Sequence, residues 1–184
     1  MQISTEDRWT APRLGCPHPE RWHSFDPQTA ELEVVDLVGA MVRALQPDYV
    51  IETGTAVGVM ASSIGAALRA NGQGRLDTIE IDPERVVAAR QACVGMPVTV
   101  IEGSSLEFTP DTPIGFAWFD SLPELRVAEF NRYRAQIVPG SIVGFHDTGE
   151  QFGAWSNAIR SLPGCRTVTL PTPRGVTFVE VFAP

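Results

Sequence analysis

The sequence predicts an α/β domain built on a seven-stranded, mostly parallel sheet, with helices on both faces and an antiparallel final strand. Three observations carry that expectation. Short apolar or β-branched runs alternate with helix-length segments whose apolar residues recur every three or four positions. The run Ile114-Gly115-Phe116-Ala117-Trp118-Phe119 is apolar throughout, as a central parallel strand covered on both faces must be. The stretch from Tyr49 to Gly58 passes from a β-branched strand to a helix through Gly54 and Gly58. Glycine in such a turn admits positive φ and lets a ligand approach the main chain, while the helix start beyond it offers unpaired N–H groups.

With 184 residues, 43% hydrophobic and 20% charged, the chain is long enough to bury one full core. A formal charge of -8 argues against a nucleic-acid partner and favours a small-molecule substrate. Cys16, Cys93 and Cys165 are too widely spaced to suggest a disulfide framework or a C-x-x-C zinc site. No signal-like leader and no membrane-length apolar run is present, so a cytoplasmic protein without membrane contact is expected.

Residues 1–26 have no regular period but hold Trp9, Trp22 and Phe25, and are expected to pack as an arm or lid on a single domain covering 27–184. Cys16, His18 and His23 match no standard zinc spacing. The first helix is expected from Pro27 to Gln46, with Asp26 as N-cap and Leu32, Val35, Val38, Val42 and Leu45 as its buried stripe. A strand ending at Glu52 follows, then a helix from Val57 to Ala70 stopped by Asn71-Gly72. Arg75 to Asp82 reads as a strand ending in acids, with Asp82-Pro83-Glu84 opening a helix that reaches Cys93. Val98 to Glu102 is the third strand, followed by Gly103-Ser104-Ser105. The fourth delivers Asp120 to its carboxyl end, and Ser121 to Glu124 has capping-box spacing for a helix reaching Gln136. The fifth strand, Ser141 to Phe145, ends at His146-Asp147. A helix from Glu150 to Leu162, burying Phe152, Trp155, Ile159 and Leu162, precedes two closing strands, Arg166 to Leu170 and Val176 to Phe182. Arg174, in their connection, is expected as a solvated loop residue.

Neither the dinucleotide fingerprint nor the phosphate loop fits the first turn. The segment Glu52-Thr53-Gly54-Thr55-Ala56-Val57-Gly58 instead resembles the E-x-G-T-x-x-G motif of class I S-adenosylmethionine-dependent methyltransferases, in their catechol O-methyltransferase-like branch, and the resemblance runs from about Glu31 to Phe182. It implies a Rossmann-like fold and a site for S-adenosylmethionine formed by Glu52, Gly54, Thr55, Ala56 and Gly58. It also implies that Glu80 holds the ribose beside Ile81, and that Ser104 and Ser105 lie near the adenine. Asp120 and the pair His146-Asp147 stand where metal-dependent O-methyltransferases carry an aspartate and an Asp-Asn pair. Asp120, His146 and Asp147 are therefore the candidate catalytic residues and the candidate ligands of a divalent cation, Mg, Mn or Fe. Histidine suits Mg²⁺ poorly, which leaves a general-base role for His146 as the metal-free alternative. The expected activity is O-methylation of a small acceptor. A non-catalytic nucleoside-cofactor binder and a metal-dependent hydroxylase on the same scaffold are the alternatives, and a homodimer is compatible with the sequence.

Overall fold

The structure, a computed structural model, describes residues 18–182. Its seven strands are β1 (Tyr49–Thr53), β2 (Arg75–Glu80), β3 (Val98–Glu102), β4 (Ile114–Phe119), β5 (Ile137–His146), β6 (Cys165–Leu170) and β7 (Val176–Val181). They form one sheet in the order β3-β2-β1-β4-β5-β7-β6. The pairs among β1 to β5 are parallel, and β7 runs antiparallel to both β5 and β6. The chain leaves β1 toward β2 and β3, then returns to β4 on the other side. The switch point of this Rossmann-like sheet therefore lies between β1 and β4, and the crevice beyond their carboxyl ends is where such sheets take ligands.

Helices α1 (Leu32–Leu45) and α2 (Val59–Asn71) pack on one face against Val50, Leu76, Phe116 and Trp118. Helix α3 (Pro83–Ala92) sets Val86 and Ala89 on Val100. The opposite face, Tyr49, Ile51, Ala117, Phe119, Val143 and Phe145, is covered by Phe130 and Tyr133 of α4 (Arg126–Tyr133) and Ile159 of α5 (Gly153–Arg160). Each such fully buried apolar side chain contributes roughly 1.5–3 kcal/mol. Alternate residues of β1 and β4 thus point into separate cores, which is why their sequences read as unbroken apolar runs. No helix among the described residues is long and apolar enough to cross a membrane.

Several expected boundaries move, and each has a physical reason. The first helix begins at Leu32, not Pro27, because Asp26 closes a local turn, its Oδ1 accepting from the N–H groups of Gln28 and Thr29 at 2.8 Å each. Glu31 takes the N-cap position, but its side chain makes no cap hydrogen bond and is committed elsewhere. Leu45, expected in the buried stripe, is exposed. Ser121 does not cap α4, which starts at Arg126 with Leu125 at its N-cap. The last helix is shorter than expected, a 3₁₀ turn at Glu150–Phe152 followed by α5, and Trp155 is 47% exposed rather than buried. Asp82 does cap its helix, its Oδ1 accepting from the N–H groups of Glu84 at 2.9 Å and Arg85 at 3.3 Å. The expectation of an arm over residues 1–26 lies largely outside the described residues, as does Cys16.

Candidate functional site

At the switch point the β1–α2 turn is shaped by two glycines whose geometry excludes a side chain. Gly54 has φ +80°, and a Cβ there would overlap the carbonyl of Asp120. Gly58 has φ +89°, and its Cβ would lie 2.9 Å from Ala89 Cα on α3. Only glycine lets the turn pass this close to the end of β4 and lets α2 start against α3. Gly54 donates to Ile79 O at 3.0 Å, and Asp120 N to Thr53 O at 2.9 Å, so the turn is tied to both neighbouring strands. Ala56 also has positive φ, +48°, a conformation uncommon outside glycine.

Glu80 sustains that conformation. Its Oε2 accepts from Ala56 N–H at 2.8 Å, while Oε1 accepts from the N–H groups of Ile81 at 2.9 Å and Asp82 at 3.0 Å. One buried carboxylate therefore joins the β1–α2 turn to the end of β2. Ile81 beside it is 72% exposed, its side chain presented to solvent. Glu52, at the end of β1, is fully buried. Its Oε2 accepts from Thr78 Oγ1 at 2.5 Å, and Thr78 shares a hydrogen bond with Thr55 Oγ1, but Oε1 has no partner. Burial, aided by the nearby Asp120 and Glu80 charges and opposed by the Thr78 hydroxyl, pushes the Glu52 carboxyl up to about 8. An unpartnered buried carboxyl oxygen is a costly arrangement in an isolated protein and a prepared one for a ligand donor.

Ser104 and Ser105 divide in role. Ser104 Oγ accepts from Leu106 N–H at 3.3 Å, a local turn contact, whereas Ser105 Oγ donates to Glu129 Oε1 at 2.5 Å. Glu129 also accepts from Thr53 Oγ1 at 3.0 Å and Ser121 Oγ at 2.7 Å. It thereby ties together the residues that follow β3 and β4 with the last residue of β1. Burial raises its carboxyl above the usual range, and the three hydroxyls and Arg126 pull it back.

Beyond Asp120 the structure brings all three candidate catalytic residues together: side-chain atoms of Asp120, His146 and Asp147 lie within 4.8 Å of one another. Their partners are the decisive feature. His146 is fully buried, with Nδ1 3.0 Å from Asp120 Oδ1 and Nε2 2.8 Å from Glu31 Oε2. Burial alone would lower the imidazole, but Asp120, Glu31 and Asp147 outweigh it and raise His146 to about 9. Arg126, 1% exposed, sets Nη2 3.2 Å from Asp120 Oδ1 and 3.0 Å from Asp147 Oδ2. It also donates to the carbonyls of His146 and Ser121. Arg174 contradicts the expectation of a solvated loop residue. Only 20% of its side chain is exposed, with Nη2 3.0 Å from Asp147 Oδ2 and Nε 2.6 Å from Oδ1, the latter an ion pair without hydrogen-bond alignment. Its backbone N–H and Nη1 donate to Glu31 Oε1 at 3.0 Å and Thr29 O at 3.2 Å. Burial would raise the Glu31 and Asp147 carboxyls, but the cations around them hold both below the usual range. Asp147 sits at φ +53°, backbone strain held in place by this network.

Sequence reasoning missed Glu31, Arg126 and Glu129. For the last two a signal existed: Arg126, Glu129, Phe130 and Tyr133 follow an i, i+3, i+4, i+7 pattern, so the charged pair shares the buried stripe of α4. Glu31 carries no such mark, because its partners Arg174 and His146 are more than a hundred residues distant.

The family model described as a methyltransferase domain matches residues 51–148, from β1 to the residue after Asp147 and over half of the chain. No curated protein matches the sequence. Among solved structures, a Podospora anserina methyltransferase bound to S-adenosylhomocysteine superposes with a TM-score of 0.74 at 17% identity, over 84% of this chain and 80% of that one. TomG, an O-methyltransferase of tomaymycin synthesis from Streptomyces achromogenes in complex with S-adenosylmethionine, gives 0.70 at 17% identity, over 85% and 83%. An O-methyltransferase from Bacillus cereus in complex with S-adenosylhomocysteine gives 0.69 at 16%, over 84% and 83%. These likenesses establish the fold, and the match across β1 to β5, which contains every site residue expected from the sequence but not Glu31 or Arg174, establishes the family: this chain belongs to the methyltransferase-domain family.

Proposed function

We propose that this chain transfers a methyl group from S-adenosylmethionine to an oxygen of a small-molecule acceptor. The observation that carries the reading is the β1–α2 turn: Gly54 and Gly58 with no room for a side chain, Ala56 held by Glu80, and Glu52 presenting one unpartnered buried oxygen. These residues fit the cofactor, which asks for close main-chain approach, carboxylate acceptors for its hydroxyls and ammonium, and a site free of competing cations. Bound there, S-adenosylmethionine would supply an electrophilic methyl carbon on its sulfonium. The chain's own task is then to hold the two reactants in line and to shut out water.

In this reading Glu52, Gly54, Thr55, Ala56 and Gly58 surround the methionine end. Glu80 meets the ribose beside Ile81, and Ser104 and Ser105 border the adenine. Asp120, adjacent to Gly54 and the least buried of the three candidate catalytic residues, takes the hydrogen bond of the acceptor hydroxyl. His146, donating from both ring nitrogens, is a fixed positive charge rather than a general base. Asp147 holds Arg126 and Arg174 in place. Calorimetry with S-adenosylhomocysteine and with NAD in turn tests the reading. Binding of the first and not the second is expected, and tight binding of NAD alone would overturn it.

A further inference from the structure

The spacing of Asp120, His146 and Asp147 suits a divalent ion, but their lone pairs do not. A carboxylate only accepts hydrogen bonds, so His146, set between Asp120 on Nδ1 and Glu31 on Nε2, donates from both nitrogens and keeps no lone pair for a metal. Asp147 Oδ2 already accepts from two guanidinium groups, Arg126 Nη2 and Arg174 Nη2, each at 3.0 Å. Asp147 Oδ1 has Arg174 Nε only 2.6 Å away. Asp120 Oδ1 serves both Arg126 and His146. Three carboxylates, Glu31, Asp120 and Asp147, are thus matched by Arg126, Arg174 and the doubly donating His146. An added divalent cation would face two fixed guanidinium charges in a site with no negative charge left over.

We infer that this site works without a metal ion, the guanidinium groups of Arg126 and Arg174 taking the place a cation would hold, with Glu31 as the residue that positions His146. The carboxylates are then oriented by charges belonging to the chain, and Glu31 couples the segment before α1 to the end of β5 and to the β6–β7 connection. Thr29 makes the second such contact, through its carbonyl to Arg174. The inference deepens the methyltransferase reading but is measured on the free protein, so failure of one is distinguishable from failure of the other.

The test uses Mn²⁺ alone as probe. The purified full chain is analysed for bound metal by elemental analysis, then titrated with Mn²⁺ by calorimetry and by water-proton relaxation. Wild type is expected to carry substoichiometric metal and to show no saturable Mn²⁺ site, and its unfolding midpoint is expected to be the same with EDTA or Mn²⁺. Arg174→Ala, on a partly exposed connection, frees Asp147 Oδ1, leaves Oδ2 to Arg126 alone, and is expected to raise Mn²⁺ affinity about tenfold or more, equivalent to about 1.4 kcal/mol. Stoichiometric Mn²⁺ in wild type that Asp147→Asn abolishes would overturn the inference. So would an Arg174→Ala protein that folds and binds Mn²⁺ no better than wild type, since the arginine would then not be what excludes the ion.

Discussion

The two ends of the crevice handle buried carboxylates in opposite ways. At the β1–β2 end Glu52 and Glu80 are met by neutral donors, Thr78 and the main-chain N–H groups of Ala56, Ile81 and Asp82. At the β4–β5 end Asp120, Asp147 and Glu31 are met by full charges, Arg126, Arg174 and His146. Neutral dipoles satisfy a carboxylate without cancelling it, and at Glu52, whose carboxyl burial pushes up to about 8, they leave Oε1 unmet. Charges cancel it, so the second end is rigid and electrically closed. In the proposed reading the first end is the one that takes the cofactor, and the second holds a shape.

That contrast breaks most visibly at Arg126. Replacing it with Met keeps the volume and removes the cation, leaving Asp120 and Asp147 facing one another with only His146 and Arg174 to balance them. Breaking a buried ion pair from one side costs about 3–5 kcal/mol, so Arg126→Met is expected to lower the urea midpoint by that equivalent. An unchanged midpoint would mean that the second end is not held by charge.

At the first end the corresponding change is milder and falls on binding. Glu80→Ala removes the acceptor that keeps Ala56 at positive φ. A hydrogen bond to a charged group is worth about 1.5–3 kcal/mol, so S-adenosylhomocysteine affinity is expected to fall about 10- to 100-fold, read by calorimetry. Glu80→Gln, which can still accept from Ala56, is expected to recover part of the loss. Equal affinity in all three proteins would separate the turn from the cofactor.

The difference between the two ends also explains what the sequence made legible. The first end is written in consecutive residues: Glu52 to Gly58 lie on one turn, and Glu80 closes it from the next strand of the same βαβ unit, so spacing showed a strand-turn-helix with acids at both strand ends and the family resemblance supplied its expected ligand. The seven strands followed from the same alternation. The second end is assembled from the segment before α1, α4, β5 and the β6–β7 connection. Asp120, His146 and Asp147 were found because they end strands, but their partners were not. Arg174 read as a solvated loop residue because nothing local marks the distant Asp147 as its partner. Glu31 read as one more residue of an amphipathic helix for the same reason, whereas it stands at the N-cap with its side chain on His146. Ser121 kept its capping-box spacing but gave its hydroxyl to Glu129 across the crevice, a tertiary contact that overrode a local preference.

The smallest effect expected is a pH slope from the first end, read as the difference between wild type and a Glu52 variant. In the unfolded chain the Glu52 carboxyl titrates near 4.5, whereas in the folded protein burial holds it at about 8. Between those values the folded state keeps a proton that the unfolded state has released, so stability from this group is complete below about 4.5 and declines until the pH passes about 8. One proton changes stability by at most about 1.4 kcal/mol per pH unit, so the decline between pH 7 and pH 8 is at most about that size. His146 adds a slope of the same sign: raised to about 9 by Asp120, Glu31 and Asp147, its contribution is complete below 6.5 and declines from there until the pH passes 9. Glu52→Gln removes the first slope and leaves the second. Chemical denaturation at pH 7 and pH 8 should therefore show the variant losing less stability than wild type over that step. If the two proteins lose the same amount, Glu52 is ionised inside the fold, and its unmet oxygen is then a charge that the folded protein already tolerates without a ligand.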